Sequence, residues 1–306
     1  MGKIADALEK YQEDKKEPIP IDVPKRTVVE RVEIQSNSLD QAHIDEQVEK
    51  QSPSSSEAET KAESQVESDN IDTNMVALLE PRSFEAEQFK ILRTKLLFPA
   101  SGKPVRTLMV TSAVPGEGKS FVAANLAVSI AQNIHEHVLI IDCDMRMPCI
   151  HKRFGFGKVP GLSEYLSSRT PIESLMLKTK VDKLSLLPAG EPPDNPSELL
   201  SSQIMSDFLK EVKDRYSDRY IIIDSPPPKL TAETYAISRQ VDGILLVVKH
   251  GDTPRKMVSE LIETIGKEKI LGVVYNNLDM RLTNYLGYNK YGNYGKRGRY
   301  YTKYHK

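Results

Sequence analysis

Two kinds of apolar spacing organise the chain. From Thr107 onward, short runs that are apolar at every position alternate with longer stretches where apolar residues recur every three or four. Val138-Leu-Ile-Ile141 and Ile221-Ile-Ile223 are apolar on both faces, as central strands of a parallel sheet are. Strands are expected at Thr107–Thr111, Val138–Asp142, Leu184–Leu187, Tyr220–Asp224, Gly243–Val248 and Ile270–Tyr275. Helices are expected between them, at Ser120–Asn133, Pro196–Tyr216, Ala232–Gln240 and Pro254–Lys267. Upstream, Phe84, Ile91, Leu92, Leu96 and Leu97 predict a helix over Phe84–Phe98 that Pro99 ends. The alternation implies an α/β fold, a doubly wound and mostly parallel sheet with ligands at the strand C-termini.

The flanks lack this patterning. Residues 1–12 carry Ile4, Ala5, Leu8 and Tyr11 at the spacing of a short amphipathic helix. Residues 13–75 are rich in Glu, Gln, Ser and Pro and cannot bury enough apolar surface to offset their ordering entropy. The expected division is a mostly disordered leader at 1–78, a folded domain at 79–280 and a disordered tail at 281–306. Charge changes the picture of these flanks. The 306 residues sum to −1, but residues 1–75 hold 9 Lys/Arg against 18 Asp/Glu, and residues 281–306 hold 7 Lys/Arg and no acid. An acidic start and a basic end suggest two flanks with different partners.

Cys143 and Cys149 are the only cysteines, too few for a disulfide framework, which implies a reducing, cytosolic compartment. No apolar run approaches the roughly 18 residues that cross a bilayer, and no signal peptide opens the chain. A cytoplasmic protein is expected.

The chemistry concentrates in Ala113-Val-Pro-Gly-Glu-Gly-Lys-Ser120, between a predicted strand and an Ala-rich helix. That context makes it a phosphate-binding loop of the P-loop NTPase type, although alanine stands where the first glycine is usual. Gly116 and Gly118 let backbone N–H groups converge on phosphate oxygens. Lys119 adds a charge at the β- and γ-phosphates, and the Ser120 hydroxyl suits Mg²⁺. Pro115, Gly116, Glu117, Gly118, Lys119, Ser120 and Phe121 are the expected nucleotide-lining residues, with ATP and Mg²⁺ as cofactors. Asp142 and Asp144 end one strand two residues apart, hence on one face, and Asp224 ends another. Ser120, Asp142 and Asp224 are the expected metal-side groups. Carboxylates beside a phosphate loop suit phosphoryl transfer, which is mostly positioning and charge neutralisation; each acid alone would equally cap a turn. Arg146 can reach the phosphates, a subunit interface or a surface ion pair. His151 has no metal-spaced companions and reads as a packed polar residue, and Cys143 as a small apolar filler.

The tail is the second unusual feature. Tyr285, Tyr288, Tyr291, Tyr294, Tyr300, Tyr301 and Tyr304 are seven of thirteen tyrosines, interleaved with Gly, Asn, Lys and Arg. Such a segment can stack on single-stranded nucleic acid, accept phosphate, or serve as a solvated tail. Composition leaves all three open.

From Val76 to Lys306 the sequence resembles the bacterial tyrosine kinases, cytosolic autokinases that accompany polysaccharide chain-length regulators. The resemblance rests on Glu87-Gln-Phe-Lys-Ile-Leu-Arg93, the loop, and Asp142-Cys-Asp-Met-Arg-Met-Pro148. It rests also on Leu187-Pro-Ala-Gly190 with Asn195-Pro-Ser-Glu-Leu-Leu200, Asp224-Ser-Pro-Pro227 and the tyrosine cluster. It implies that Lys119, Asp142, Asp144 and Asp224 carry catalysis, with Asp142 or Asp144 as base. It implies a homo-oligomeric ring whose subunits phosphorylate one another's tail tyrosines to regulate exopolysaccharide or capsule synthesis. Glu87, Lys90 and Arg93 fall at its interface motif, with Lys90 where arginine is usual. Further implications are a separate membrane activator of the chain-length-determinant type, recruitment to the inner face of the plasma membrane, a phosphotyrosine phosphatase as partner and no nucleic acid. A partitioning-type ATPase switch shares the fold class, but it usually has a lysine where Val114 stands and lacks a tyrosine tail. A non-catalytic, ATP-responsive regulator of a polysaccharide exporter is a further alternative.

Overall fold

The computed structural model describes residues 26–30, 71–99, 105–215, 219–227 and 233–278. The expected N-terminal helix and all seven tail tyrosines lie outside them. In chain order the first elements are β1 (Arg26–Glu30), α1 (Val76–Leu79), α2 (Phe84–Leu97), β2 (Thr107–Ser112), α3 (Lys119–Ala131) and β3 (His137–Asp142). Four short elements follow, α4 (Ile150–Arg153), α5 (Leu162–Ser168), α6 (Ile172–Leu175) and β4 (Leu177–Lys178). Then come β5 (Leu184–Leu187), α7 (Pro196–Leu200), α8 (Gln203–Arg215) and β6 (Arg219–Asp224). The domain ends with α9 (Glu233–Ser238), β7 (Gly243–Lys249), α10 (Arg255–Ile265) and β8 (Ile270–Leu278).

The strands form one sheet in the order β1-β8-β7-β2-β6-β3-β5-β4. The six inner strands are parallel, and β1 and β4 close the two edges antiparallel. Strands β2, β3, β6 and β7 are buried almost end to end because helices cover both sheet faces. One apolar layer joins α2 and α3 to one face, through Phe89, Leu92, Leu126 and Ile140. The other packs α5, α7 and α8 on the opposite face, through Leu139, Leu166, Phe208 and Ile223. Helix α3 is buried on nearly every side, and its alanines allow that close approach. Ser83 starts α2 by accepting the Ala86 N–H at 3.1 Å.

The leader contributes more than its composition suggests. Arg26–Glu30, inside the stretch expected to be disordered, pairs along Val273–Leu278 of β8. An exposed edge strand is a template for pairing, and these five residues cover it. Packing also begins before residue 79. Met75 is fully buried, Ala77 donates its N–H to Asn125 Oδ1 at 2.9 Å, and Asp72 pairs with Arg153 at 2.7 Å.

Candidate phosphoryl-transfer site

The loop 113–118 joins β2 to α3, and its glycines hold left-handed backbone, Gly116 at φ +80° and Gly118 at φ +91°. A side chain is excluded at Gly118, where a Cβ would stand 2.0 Å from Asn276 Nδ2. Lys119 and Ser120 open α3, and Ser120 is buried. Pro115 and Gly116 are exposed at the tip of the loop.

Sheet register brings the acids to this loop. Asp142 and Asp224 are direct partners across β3 and β6, and Val110 of β2 pairs with Asp224. Lys119 Nζ lies 2.7 Å from Asp144 Oδ2, a largely buried ion pair, and 3.4 Å from Ser120 Oγ. Lys119, Ser120, Asp142, Asp144 and Asp224 therefore come together at one end of the sheet.

Each acid has a different surrounding. Asp142 is fully buried; its Oδ1 accepts the Asp144 N–H, and its Oδ2 accepts the N–H groups of Cys149 and Ile150, all at 3.1 Å. These bonds are turn-capping bonds and fix the path of 143–150. Asp144 faces Lys119, while its Oδ1 accepts the Met147 N–H at 3.2 Å. Asp224 is fully buried and no hydrogen bond of good geometry reaches either carboxylate oxygen, although the Ser120 hydroxyl lies close enough to favour its charged form. A buried carboxylate without donors is costly. Burial first, then the Asp224 charge, raises Asp142 above the usual carboxylate range. Burial likewise raises Asp224, against the pull of Lys119. Burial works to lower Lys119, but the Asp224 and Asp144 charges outweigh it and hold the ammonium above its ordinary value.

Mg²⁺ takes oxygen ligands and keeps several waters. The two unpartnered Asp224 oxygens beside the Ser120 hydroxyl fit such an ion. Among the described residues no three His, Cys, Asp or Glu side chains form a metal cage by themselves.

The other expected residues are dispersed. Phe121 packs edge-on against Phe89, with ring centroids 5.7 Å apart. Arg146 is exposed, and its Nη2 donates to Ser197 Oγ at 3.1 Å. Glu117 turns its carboxylate into the protein, where Val114, Lys249 and Thr253 donate to it. Glu87, Lys90 and Arg93 lie along α2. Lys90 pairs with Glu87 at 3.1 Å, and Arg93 Nη1 donates to the Ser129 carbonyl at 2.7 Å. Cys143 and His151 are buried as expected. Sequence reasoning missed Thr253, in the turn after β7, and Asn276 of β8, which both touch the loop at Glu117. The signal available was a polar Asn276-Asn277 pair at the end of an apolar strand.

Comparison with known proteins places this geometry. Residues 105–272 match a family described as AAA domain. Tyrosine-protein kinase YwqD of Bacillus subtilis is 34% identical over 221 residues, which span 72% of this chain and 91% of that relative. Tyrosine-protein kinase wzc of Salmonella typhimurium is 33% identical over 221 residues, 72% of this chain but 30% of the relative's own length. The kinase domain of Escherichia coli tyrosine kinase ETK superposes with a TM-score of 0.64 at 30% identity, covering 73% of this chain and 86% of that one.

Proposed function

The chain belongs to the bacterial tyrosine-protein kinase family, and from that premise we propose that it is an ATP-dependent tyrosine autokinase acting on its own C-terminal cluster. The observation that carries this reading is the buried Lys119–Asp144 pair, set beside the register-matched Asp142 and Asp224 at the mouth of a phosphate-binding loop.

In this reading the N–H groups of 116–120 and Lys119 bind the β- and γ-phosphates of ATP. Ser120 and Asp224 would hold Mg²⁺, which would supply charge neutralisation at the transferred group. Entry of the triphosphate draws Lys119 from Asp144 and frees that carboxylate beside the γ-phosphate. Asp144 then orients the incoming tyrosine and accepts its proton, which a phenol with a pKa near 10 needs help to lose at neutral pH. Asp142 is the positioning group, since its oxygens already hold the turn that carries Asp144.

The acceptors are Tyr285, Tyr288, Tyr291, Tyr294, Tyr300, Tyr301 and Tyr304, presented by a neighbouring copy in a homo-oligomeric ring. Their seven basic companions and absence of acid favour approach to an acidic site. Each phosphate adds about −1.5 to −2 of charge and progressively cancels that attraction. Glu87, Lys90 and Arg93 are the proposed ring contact. Arg93 already holds α2 against α3, which makes its part a supporting one. No helix among the described residues is long and apolar enough to cross a membrane. By likeness to its relatives, a separate membrane activator of the chain-length-determinant type is the proposed recruiter to the inner face of the membrane. A phosphotyrosine phosphatase resets the tail, and the output is control of exopolysaccharide or capsule synthesis.

A mixing experiment tests transfer between copies. Protein truncated after residue 280 supplies an active site without acceptors, and Lys119→Met supplies acceptors without activity. Phosphotyrosine on the Lys119→Met chain only in the mixture supports transfer in trans. Phosphorylation by wild type alone, with none in the mixture at any ratio, would sink it.

A further inference from the structure

Glu117 lies between the two glycines of the loop and is 1% exposed. Its Oε2 accepts the Val114 N–H at 2.8 Å, which closes the loop on itself. Its Oε1 accepts the Lys249 N–H at 3.2 Å, at the end of β7, and the Thr253 hydroxyl, in the turn that follows. The Glu117 carbonyl accepts Asn276 Nδ2 at 2.8 Å, and that same amide stands against Gly118. One buried carboxylate thus joins the start of the loop to the end of β7, and Asn276 joins its middle to the end of β8.

We propose that Glu117 is a positioning residue that latches the phosphate loop into its nucleotide-ready shape through Thr253, with Asn276 as the second anchor. The physical reason is preorganisation. Converging N–H groups repel one another when no anion is present, so an untethered loop relaxes and must be reordered at binding. A buried carboxylate with three donors resists that relaxation, because opening the Val114 bond leaves Oε2 with no donor and opening either of the others leaves Oε1 with one. The latch also gives the 249–254 turn a hold on nucleotide affinity, since displacing Thr253 loosens the loop with no change at Lys119. This inference rests on reading Ala113–Ser120 as a triphosphate site.

The test titrates full-length protein with a fluorescent ATP analogue and Mg²⁺, and measures amide hydrogen exchange without nucleotide. Glu117→Gln keeps the size but turns one acceptor into a donor, aimed at Val114 or Lys249. It is expected to weaken binding by about tenfold, the scale of one charged hydrogen bond. Thr253→Val should weaken it by about threefold, a neutral-donor effect, and Thr253→Ser should restore wild-type affinity. The double variant Glu117→Gln/Thr253→Val should bind no worse than Glu117→Gln alone, because both remove the same latch. Exchange at Val114 and Lys249 should quicken in Glu117→Gln while β3 amides keep their protection. Unchanged affinity in Glu117→Gln and Thr253→Val, or a Thr253→Ser as weak as Thr253→Val, overturns the latch. Lys119→Met separates the two failures. If wild type binds and Lys119→Met does not, the site stands and the other variants judge the latch. If wild type fails to bind, the site reading falls, and exchange at Val114 and Lys249, which needs no nucleotide, still decides the latch.

Discussion

At the scale of single residues, the costs in this site lie with two carboxyls that face each other across β3 and β6. Asp142 has three N–H donors, and Asp224 has none. Both are raised above the roughly 4 of an unfolded aspartate, and as a pair they titrate between about 6 and about 8 in the fold. The folded chain therefore holds more protons than the unfolded chain from about pH 4 up to that range. Stability must fall as pH rises through the same window. Asp224→Asn removes one buried charge. In chelator and without nucleotide, the variant should melt several degrees above wild type at pH 8, a gain of about 1–3 kcal/mol, with the gap closing toward pH 5. Thermal melts across that range check it, and a gap that widens toward acid pH contradicts it. The three acids were visible in the sequence because Asp142 and Asp224 each end an apolar run and Asp144 follows Asp142 by two, although β3 itself stops at Asp142. Their division of labour was not, because the Asp142 bonds depend on how residues 143–150 turn.

At the scale of elements, β2, β3, β6 and β7 were legible since burial on both faces leaves no polar position to blur the run. The predicted helix Pro196–Tyr216 is instead two helices. Ser202 accepts the Met205 N–H at 3.2 Å and starts α8 afresh, and a short side-chain cap is weak in periodicity. Strand β1 was missed because five residues in a polar leader carry no strand pattern without knowledge of the β8 edge. Deleting residues 1–31 should quicken amide exchange along Val273–Leu278 while leaving β2 and β3 protected; unchanged β8 protection would show that the leader does not cover this edge. Gly118 sits close against Asn276 of β8. Gly118→Ala puts a Cβ into Asn276 and strains a left-handed residue, at a cost of about 1–3 kcal/mol. Nucleotide affinity should fall with it. Calorimetric titration showing wild-type affinity in Gly118→Ala would mean that the junction yields freely.

At the scale of the whole molecule, the phosphate loop and the tyrosine cluster sit at opposite ends of the domain sequence, and transfer between copies would join them. Charge supports that joining, with a basic tail set against a site that holds three buried acids. The tail was legible only as composition. Nothing in its spacing says which tyrosines react. The most direct measurement is the intact mass of the full chain after incubation with ATP and Mg²⁺, beside Lys119→Met under the same conditions. The account predicts a ladder of single phosphoryl additions on wild type, mapping to residues 285–304, and none on the variant. ADP formed with no gain in mass, or equal phosphorylation of both proteins, would contradict it.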